Sequence, residues 1–239
     1  MNVTVLRFDP SKDPEPYEKS YEVPWHEYIT VLEALMYIYE NYDPIAFDYS
    51  CRGRVCGRCG IMMDGEPCLA CYTTIDSDRD ISLAPLNGFP VIKDFIVDRS
   101  KFQDRISAIY DRQRYQPLTL EEIDTPYDPA IVEKAAGIEW CARCMLCISS
   151  CPVVNNPSGS DGYVGPAGLV ALGLRFYDPN DQGNRIVEAV QNGLFDCIQC
   201  GKCDEVCPAA EIDHLGIYAD LRAAAAEEGV VPTRQAKIQ

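Results

Sequence analysis

Cysteine is gathered into three short groups, and the spacing within them constrains the fold more than any other feature of the sequence. The chain has 13 cysteines in 239 residues. The groups are Cys51-x4-Cys56-x2-Cys59 followed by Cys68 and Cys71, Cys141-x2-Cys144-x2-Cys147-x3-Cys151-Pro152, and Cys197-x2-Cys200-x2-Cys203-x3-Cys207-Pro208. Thiolates are soft ligands, and such short intervals let one loop wrap a small metal centre. The pattern predicts iron bound through these cysteines as iron-sulfur clusters.

Two kinds of spacing predict two kinds of cluster. An x4-x2 interval with a distant fourth cysteine is the plant-type ferredoxin pattern for [2Fe-2S], whereas x2-x2-x3 ending in Cys-Pro is the bacterial ferredoxin pattern. In the bacterial arrangement the fourth cysteine of each group ligates the cluster of the other group. The second and third groups are therefore expected to interlock in one lobe.

Two alternatives stay open on the residues alone. Zinc also binds four cysteines, but zinc sites usually pair two C-x2-C units, and an x4-x2 interval is unusual for them. Cys68 and Cys71 are both candidates for the fourth ligand of the first group, and strand alternation would point them to opposite faces. The sequence therefore favours iron over zinc and leaves that fourth ligand undecided.

The order of the predicted elements indicates an α+β chain with two domains. Strands are predicted over residues 3–8, 17–23, 60–64, 66–74 and 81–84, with a hairpin turn at Asp64-Gly65. Helices are predicted over 30–39, 119–123, 129–137, 166–176, 185–192 and 215–228. We expect a β-grasp plant-type [2Fe-2S] ferredoxin domain over 1–103, followed by an all-α bacterial-type ferredoxin domain over 104–239 that holds two further clusters.

Charge and hydropathy exclude several classes of partner. The chain has 21 basic and 37 acidic residues, a formal net charge of −16, which argues against nucleic acid as a partner. No signal peptide is expected at the start, and no apolar run approaches the roughly 18 to 20 residues that span a bilayer. Any membrane role must therefore come through a partner protein, and the free thiols indicate a reducing compartment.

Residues for substrate chemistry are missing from the sequence. The two histidines, His26 and His214, lie outside the cysteine groups, which argues against Rieske-type ligation. Neither a G-x-G-x-x-G nor a Walker motif occurs. The chain is therefore expected to carry electrons and to contribute no catalytic residue.

The order of motifs resembles the iron-sulfur subunit of fumarate reductase and succinate dehydrogenase, the complex II family. The resemblance covers nearly the whole chain. Its most specific segments are Asp48-Tyr49-Ser50-Cys51-Arg52-Gly53, Leu69-Ala70-Cys71, Val91-Ile92-Lys93-Asp94, Gly165-Pro166-Ala167, Arg175 and both Cys-Pro motifs. It implies an oxidoreductase subunit whose substrate chemistry takes place in a partner flavoprotein.

The resemblance also implies which cysteines hold each cluster. The [2Fe-2S] cluster would be held by Cys51, Cys56, Cys59 and Cys71, which leaves Cys68 without a role. The [4Fe-4S] cluster would be held by Cys141, Cys144, Cys147 and Cys207. The third cluster would be held by Cys151, Cys197 and Cys203.

The sequence departs from the family pattern in two respects, the third cluster and the quinone contacts. The third cluster of the family is usually [3Fe-4S], because the position matching Cys200 is not a cysteine; here Cys200 could complete a [4Fe-4S] site. Ubiquinone-linked members carry a histidine where this chain has Ile198, and a tryptophan soon after the position matching Cys151, which is also missing here. The missing histidine and tryptophan favour menaquinone over ubiquinone.

The implied function is that of the electron-transfer subunit of a membrane-bound quinol:fumarate reductase. Electrons from quinol would enter at the third cluster, pass through [4Fe-4S] and [2Fe-2S], and reach a flavin. The implied partners are an FAD-containing catalytic subunit and a membrane anchor that binds quinone, with or without haem b. The chain would lie peripherally on the cytoplasmic face of the bacterial inner membrane. Succinate dehydrogenase, working in the oxidative direction, is the alternative within the family.

Two other functions compete with this interpretation. In thiol-driven fumarate reductases and heterodisulfide reductase relatives, a similar ferredoxin part precedes Cys-Cys-Gly modules. This sequence has no Cys-Cys-Gly up to Gln239, which we take as an argument against that class. A free soluble electron carrier without fixed partners is the second competitor.

Overall fold

The computed structural model describes residues 1–113, 116–157 and 162–230. The chain divides into two compact units whose sequence ranges interleave. The first consists of Met1–Arg99 with Ala142–Ser150, and the second of Ser100–Cys141 with Cys151–Gln239. The domain boundary expected between residues 103 and 104 stays a prediction, because a stretch from the second cysteine group belongs to the first unit.

The structure contains strands mainly in the first part of the chain and helices in the second. In chain order the elements are β1 Asn2–Arg7, β2 Tyr17–Glu22, α1 Val31–Asn41, β3 Gly60–Met63, β4 Glu66–Leu69, β5 Ile81–Ala84, β6 Val91–Lys93, β7 Ile96–Val97, α2 Ser100–Tyr110, α3 Leu120–Asp124, α4 Pro129–Ile138, α5 Leu146–Ser149, α6 Pro166–Phe176, α7 Arg185–Gln191, α8 Lys202–Glu205 and α9 His214–Glu227. The α+β class with a ferredoxin-like first part is confirmed.

The first unit is built on a mixed sheet of strand order β2-β1-β5-β3-β4. Strands β1 and β5 run parallel, and the other neighbours pair antiparallel. Alternation in β1 buries Val3 and Val5, which face the core of this unit. Asp64 and Gly65 make the predicted turn between β3 and β4, both with positive φ. The sheet thereby places the first cysteine group immediately before β3.

Helix α1 fixes the segment that carries Cys71. Thr30 and Glu33 form a reciprocal capping box at its start, at the predicted N-cap. The backbone N–H of Leu32 donates to the carbonyl of Ala70 at 2.8 Å, and the N–H of Val31 donates to the carbonyl of Thr73 at 3.0 Å. The first turn of the helix therefore holds the backbone on both sides of Cys71.

The second unit is organised around helix α6, whose residues from Pro166 to Leu174 are all buried. It packs against α2, α4, α7 and α9. Gly173 permits the close approach of α9, because a Cβ there would lie 2.3 Å from the Ile217 side chain. The α6–α9 packing positions the third cysteine group, which lies between α7 and α9. Among the residues described, no helix combines the length and the apolar character needed to cross a bilayer.

Candidate iron-sulfur sites

The first cysteine loop surrounds the sulfur of Cys51 with backbone amides. The N–H groups of Gly53, Val55 and Cys56 donate to Cys51 Sγ at 3.3, 3.4 and 3.3 Å. These amide hydrogen bonds lower the pKa of Cys51 to about 6. Because iron binds the thiolate, this loop already stabilises the charge form that a ligand needs.

Two further sulfurs of the first site, those of Cys59 and Cys71, form a neighbouring pair. Burial raises the pKa of Cys59 to about 12; the backbone N–H of Cys71 opposes this rise and the Cys71 thiol adds to it. Cys68, in contrast, lies within β4 opposite Ile61 and interacts with Thr73. Burial raises the pKa of Cys68 to about 11. These contacts favour Cys71 over Cys68 as the fourth ligand, and the assignment stays a prediction.

The second and third cysteine loops have the same local conformation. In both, the residues on either side of the second cysteine have positive φ. They are Arg143 (49°) and Met145 (70°) around Cys144, and Gln199 (56°) and Gly201 (79°) around Cys200. A four-residue helix follows in each, α5 or α8, with the third cysteine as its second residue. Non-glycine residues at positive φ carry strain, which persists where the loop geometry requires it. Cys200 therefore occupies the same backbone position in its loop as Cys144 does in the other.

Four cysteines of the second unit line a single cavity. They are Cys151, Cys197, Cys200 and Cys203. The cavity contains about 310 Å³ of unfilled space, part of it open to solvent. Burial raises the pKa of Cys203 to about 12 and also raises the pKa of Cys151. Thiols buried in an apolar cavity stay protonated on their own. When a metal cation binds, they lose their protons, and the cation compensates for the cost of burying the thiolate charge.

Tyr163 shows that this cavity suits a sulfur-rich group. Its side chain lines the cavity and is 4% exposed. Its hydroxyl has no nitrogen or oxygen partner among the described residues, and the Cys197 thiol lies beside it. Burial and the neighbouring thiols, Cys151 first, raise the pKa of Tyr163 well above its usual value, so the hydroxyl keeps its proton. A buried donor of this kind normally has an acceptor, and the sulfurs of an iron-sulfur cluster would supply one.

The cysteines expected to hold [4Fe-4S] are divided between the two units. Cys144 and Cys147 belong to the first unit, and Cys141 and Cys207 belong to the second. Within the second unit the thiols of Cys141 and Cys207 are near each other, since burial followed by the charge of Cys141 raises the pKa of Cys207. This ligand set stays a prediction.

Several neighbours of the sites were not found from the sequence. Arg222 donates to the carbonyl of Cys197 at 2.6 Å, and the hydroxyl of Tyr218 lies 4.0 Å from Cys203 Sγ. His214 and Asp204 lie beside Cys203, with His214 Nδ1 2.9 Å from Asp204 Oδ1. Most of these residues come from helix α9, which is distant from the loop in sequence, so cysteine spacing gave no signal for them.

Comparison with known proteins identifies both halves of the chain. Residues 2–104 match the family of 2Fe-2S iron-sulfur cluster binding domains, and residues 137–210 match the 4Fe-4S dicluster domain family. The predicted cofactor classes, [2Fe-2S] and [4Fe-4S], are thereby confirmed.

Relatives cover the chain from end to end. It is 38% identical over 234 residues to a subunit of the fumarate reductase (CoM/CoB) of Methanothermobacter marburgensis, and the match spans 97% of this chain but only 46% of that protein. It is 33% identical to the fumarate reductase iron-sulfur subunit of Haemophilus influenzae, over 87% of this chain and 86% of the relative. A chain of the Mycobacterium smegmatis Sdh1 complex shares the fold with a TM-score of 0.81, at 23% identity, and each chain is covered to 98%. The chain belongs to the family of iron-sulfur subunits of fumarate reductase and succinate dehydrogenase.

Proposed function

We propose that this chain is the electron-transfer subunit of a membrane-bound quinol:fumarate reductase, with menaquinol as the electron donor. The observation that carries the proposal is the presence of three cysteine groups in one chain that is 33% identical, over 87% of its length, to a fumarate reductase iron-sulfur subunit. The partners would be an FAD-containing catalytic subunit and a quinone-binding membrane anchor. Through that anchor the chain would lie on the cytoplasmic face of the membrane.

The proposed ligand sets divide the cysteines into three sites. Cys51, Cys56, Cys59 and Cys71 would hold [2Fe-2S]; Cys141, Cys144, Cys147 and Cys207 would hold [4Fe-4S]; Cys151, Cys197, Cys200 and Cys203 would hold the third cluster. When bound, the clusters supply one-electron carriers. The protein's own contribution is to bind them, to supply hydrogen-bond donors toward sulfur, and to limit access of water.

The structure around Cys200 supports a four-iron third cluster. Cys200 lines the cavity together with the three cysteines that the resemblance assigns to this site. Its loop also repeats the conformation of the loop around Cys144. We therefore propose [4Fe-4S] over [3Fe-4S] for the third site.

The preference for menaquinone rests on the residue after Cys197. Ile198 lines the same cavity and is 43% exposed, so an aliphatic side chain stands where ubiquinone-linked members carry a histidine. An aliphatic side chain offers no hydrogen bond to a quinone oxygen. We propose that the quinone contacts in this complex come mainly from the anchor.

The test is purification of the native complex under anaerobic conditions, followed by redox-titrated EPR and assays with menaquinol and ubiquinol analogues. We expect three clusters, a flavoprotein and an anchor, with faster fumarate reduction from menaquinol. Equal rates with both quinols would remove the quinone assignment. A stable, monomeric 26.7 kDa species that accepts electrons without partners would contradict the whole proposal and identify a free carrier.

A thiol-linked fumarate reductase is the second candidate. It is favoured by the 38% identity to the matching subunit of the fumarate reductase (CoM/CoB) of M. marburgensis. The chain spans about half the length of that relative, and the match does not include the rest of that protein. Fumarate reduction by the native complex with dithiol donors, and none with quinols, would establish this function in place of the first.

A further inference from the structure

The first and second cysteine loops touch at Gly57. A Cβ at this position would lie 2.4 Å from the carbonyl oxygen of Ala142 and 2.9 Å from the Cα of Cys144. Both contacts are shorter than any side chain tolerates, and Gly57 also has a positive φ of 65°. The backbone that carries Cys56 and Cys59 therefore lies directly against the backbone of Cys144, within one compact unit.

A second glycine extends the same contact. A Cβ at Gly60 would lie 3.1 Å from the carbonyl oxygen of Cys144 and 3.3 Å from Cδ2 of Leu146. Gly57 and Gly60 stand on the two sides of Cys59 in sequence, and Cys59 is 4% exposed. The ligand loop of the first site is thus packed onto the second cysteine group without side chains in between.

Arg99, at the end of the first unit, holds the first cysteine loop where it meets the second. Its Nη1 donates to the carbonyl of Gly57 and its Nη2 to the carbonyl of Arg58, each at 3.0 Å. The side chain is half-buried, and its charge interacts with the thiols of Cys144 and Cys59. A guanidinium bonded to two consecutive carbonyls is a rigid clamp, because both bonds share one planar group.

We propose that Gly57 and Arg99 form a junction that sets the electronic coupling between the groups held by the first and the second cysteine loops. Gly57 removes the gap between the loops, and Arg99 fixes the first loop at their contact and places a positive charge near the thiols of Cys59 and Cys144. This inference rests on the proposed function, because it takes Cys59 and Cys144 as iron ligands. The step concerned is the movement of one electron from one centre to the other, with no bond formed or broken.

Gly57→Ala tests the contact, and Gly65→Ala is its matched control. Gly65 also has a positive φ, 87°, but no described atom lies within 4 Å of a Cβ placed there. Both variants add a methyl group to a strained backbone position, and only Gly57→Ala separates the loops. In the purified complex, with both centres reduced, we expect the magnetic interaction seen by EPR to fall severalfold in Gly57→Ala and to stay at the wild-type value in Gly65→Ala.

Arg99 variants keep the test decisive if Gly57→Ala fails to load its clusters. Arg99→Lys retains the charge but lacks the planar group that holds two carbonyls in a fixed geometry, so we expect a weaker magnetic interaction at unchanged midpoint potentials. Arg99→Gln also removes the positive charge. Its loss disfavours the reduced cluster, which is the more negative state. We expect the ratio of reduced to oxidised first-site cluster to fall about tenfold at a fixed potential, a shift of about 59 mV for one electron.

Arg79→Gln is the matched control for loss of charge in the same unit. Arg79 pairs with Asp64 at 2.7 Å at the hairpin turn and has a half-exposed side chain. The proposed junction would be contradicted by equal potential shifts in Arg99→Gln and Arg79→Gln. It would also be contradicted by an unchanged magnetic interaction in both Gly57→Ala and Arg99→Lys. Absence of the two clusters from the wild-type complex would instead contradict the proposed function, so the two failures are distinguishable.

Discussion

The first cysteine loop and the cavity of the third cysteine group shift the pKa of a cysteine thiol in opposite directions. Cys51 is exposed, and three backbone amides lower its pKa to about 6. Cys203 is buried, and burial raises its pKa to about 12. Amide hydrogen bonds stabilise thiolate charge before metal arrives, whereas a buried cavity relies on the metal to compensate for that charge. The first site is therefore determined by its loop, and the third by the helices packed around it.

The largest effect is expected where the first site loses a proposed ligand. We expect Cys71→Ser to abolish the [2Fe-2S] signal, because Cys71 is the neighbour of Cys59 in the structure. Cys68→Ser is the control, since the Cys68 thiol interacts with Thr73 and lies in β4. EPR of the dithionite-reduced complex measures both. Loss of the signal in Cys68→Ser with retention in Cys71→Ser would reverse the assignment.

At the third cavity the corresponding change should remove one iron rather than the whole cluster. We expect Cys200→Ser to convert a four-iron into a three-iron centre, because Cys151, Cys197 and Cys203 remain in place. EPR of the oxidised complex would then show the signal of an oxidised three-iron cluster that is absent before the substitution. A three-iron signal already present in the wild-type complex, and stable to anaerobic iron addition, would contradict the role of Cys200.

A smaller effect is expected from the buried hydroxyl in the same cavity. Tyr163→Phe removes a donor that meets no nitrogen or oxygen among the described residues and has the Cys197 thiol beside it, so we expect the third-site potential to fall. About 1 kcal/mol of differential stabilisation corresponds to roughly 40 mV for one electron. Redox-titrated EPR measures the shift, with the exposed Tyr39→Phe as control. An unchanged potential would show that the hydroxyl donates to no cluster sulfur.

The smallest expected effect is on stability and compares two capping boxes. Thr30 caps α1, which contains five buried residues, whereas Thr119 caps α3, whose described residues are all exposed. We expect Thr30→Ala to lower the free energy of unfolding by about 1 kcal/mol. Thr119→Ala should change it far less, because α3 contributes little to the core. Anaerobic denaturation of the purified complex followed by circular dichroism measures both, and equal losses would contradict the comparison.

Local patterns explain why much of the fold could be predicted. The helix that begins near Thr30, the turn at Asp64-Gly65 and the helix over 166–176 are encoded by residues near one another in sequence, and the structure confirms all three. Helix α2 was not predicted as a distinct element, although Phe102, Ile106 and Ile109 follow helical spacing and are buried. Its charged and polar residues obscured that short stripe.

The surroundings of the cysteines could not be predicted in the same way. Arg99 contacts a loop about 40 residues earlier in sequence, at Gly57, and Arg222 contacts Cys197 from helix α9. Such contacts depend on tertiary packing, and nothing in the spacing of ligands indicates which arginine or tyrosine will lie beside them. Cysteine spacing predicts where metal is held, and the structure is needed to find the groups that act on it.

The hydrogen bonds from the first turn of helix α1 to the carbonyls of Ala70 and Thr73 make the helix and the segment that carries Cys71, a proposed ligand, one cooperative element. Fraying of the helix start would release the backbone around Cys71. Bleaching of the first-site chromophore in visible absorbance would then report the opening of this part of the sheet, ahead of any change in global helicity. The cofactor would serve as a built-in probe of local unfolding.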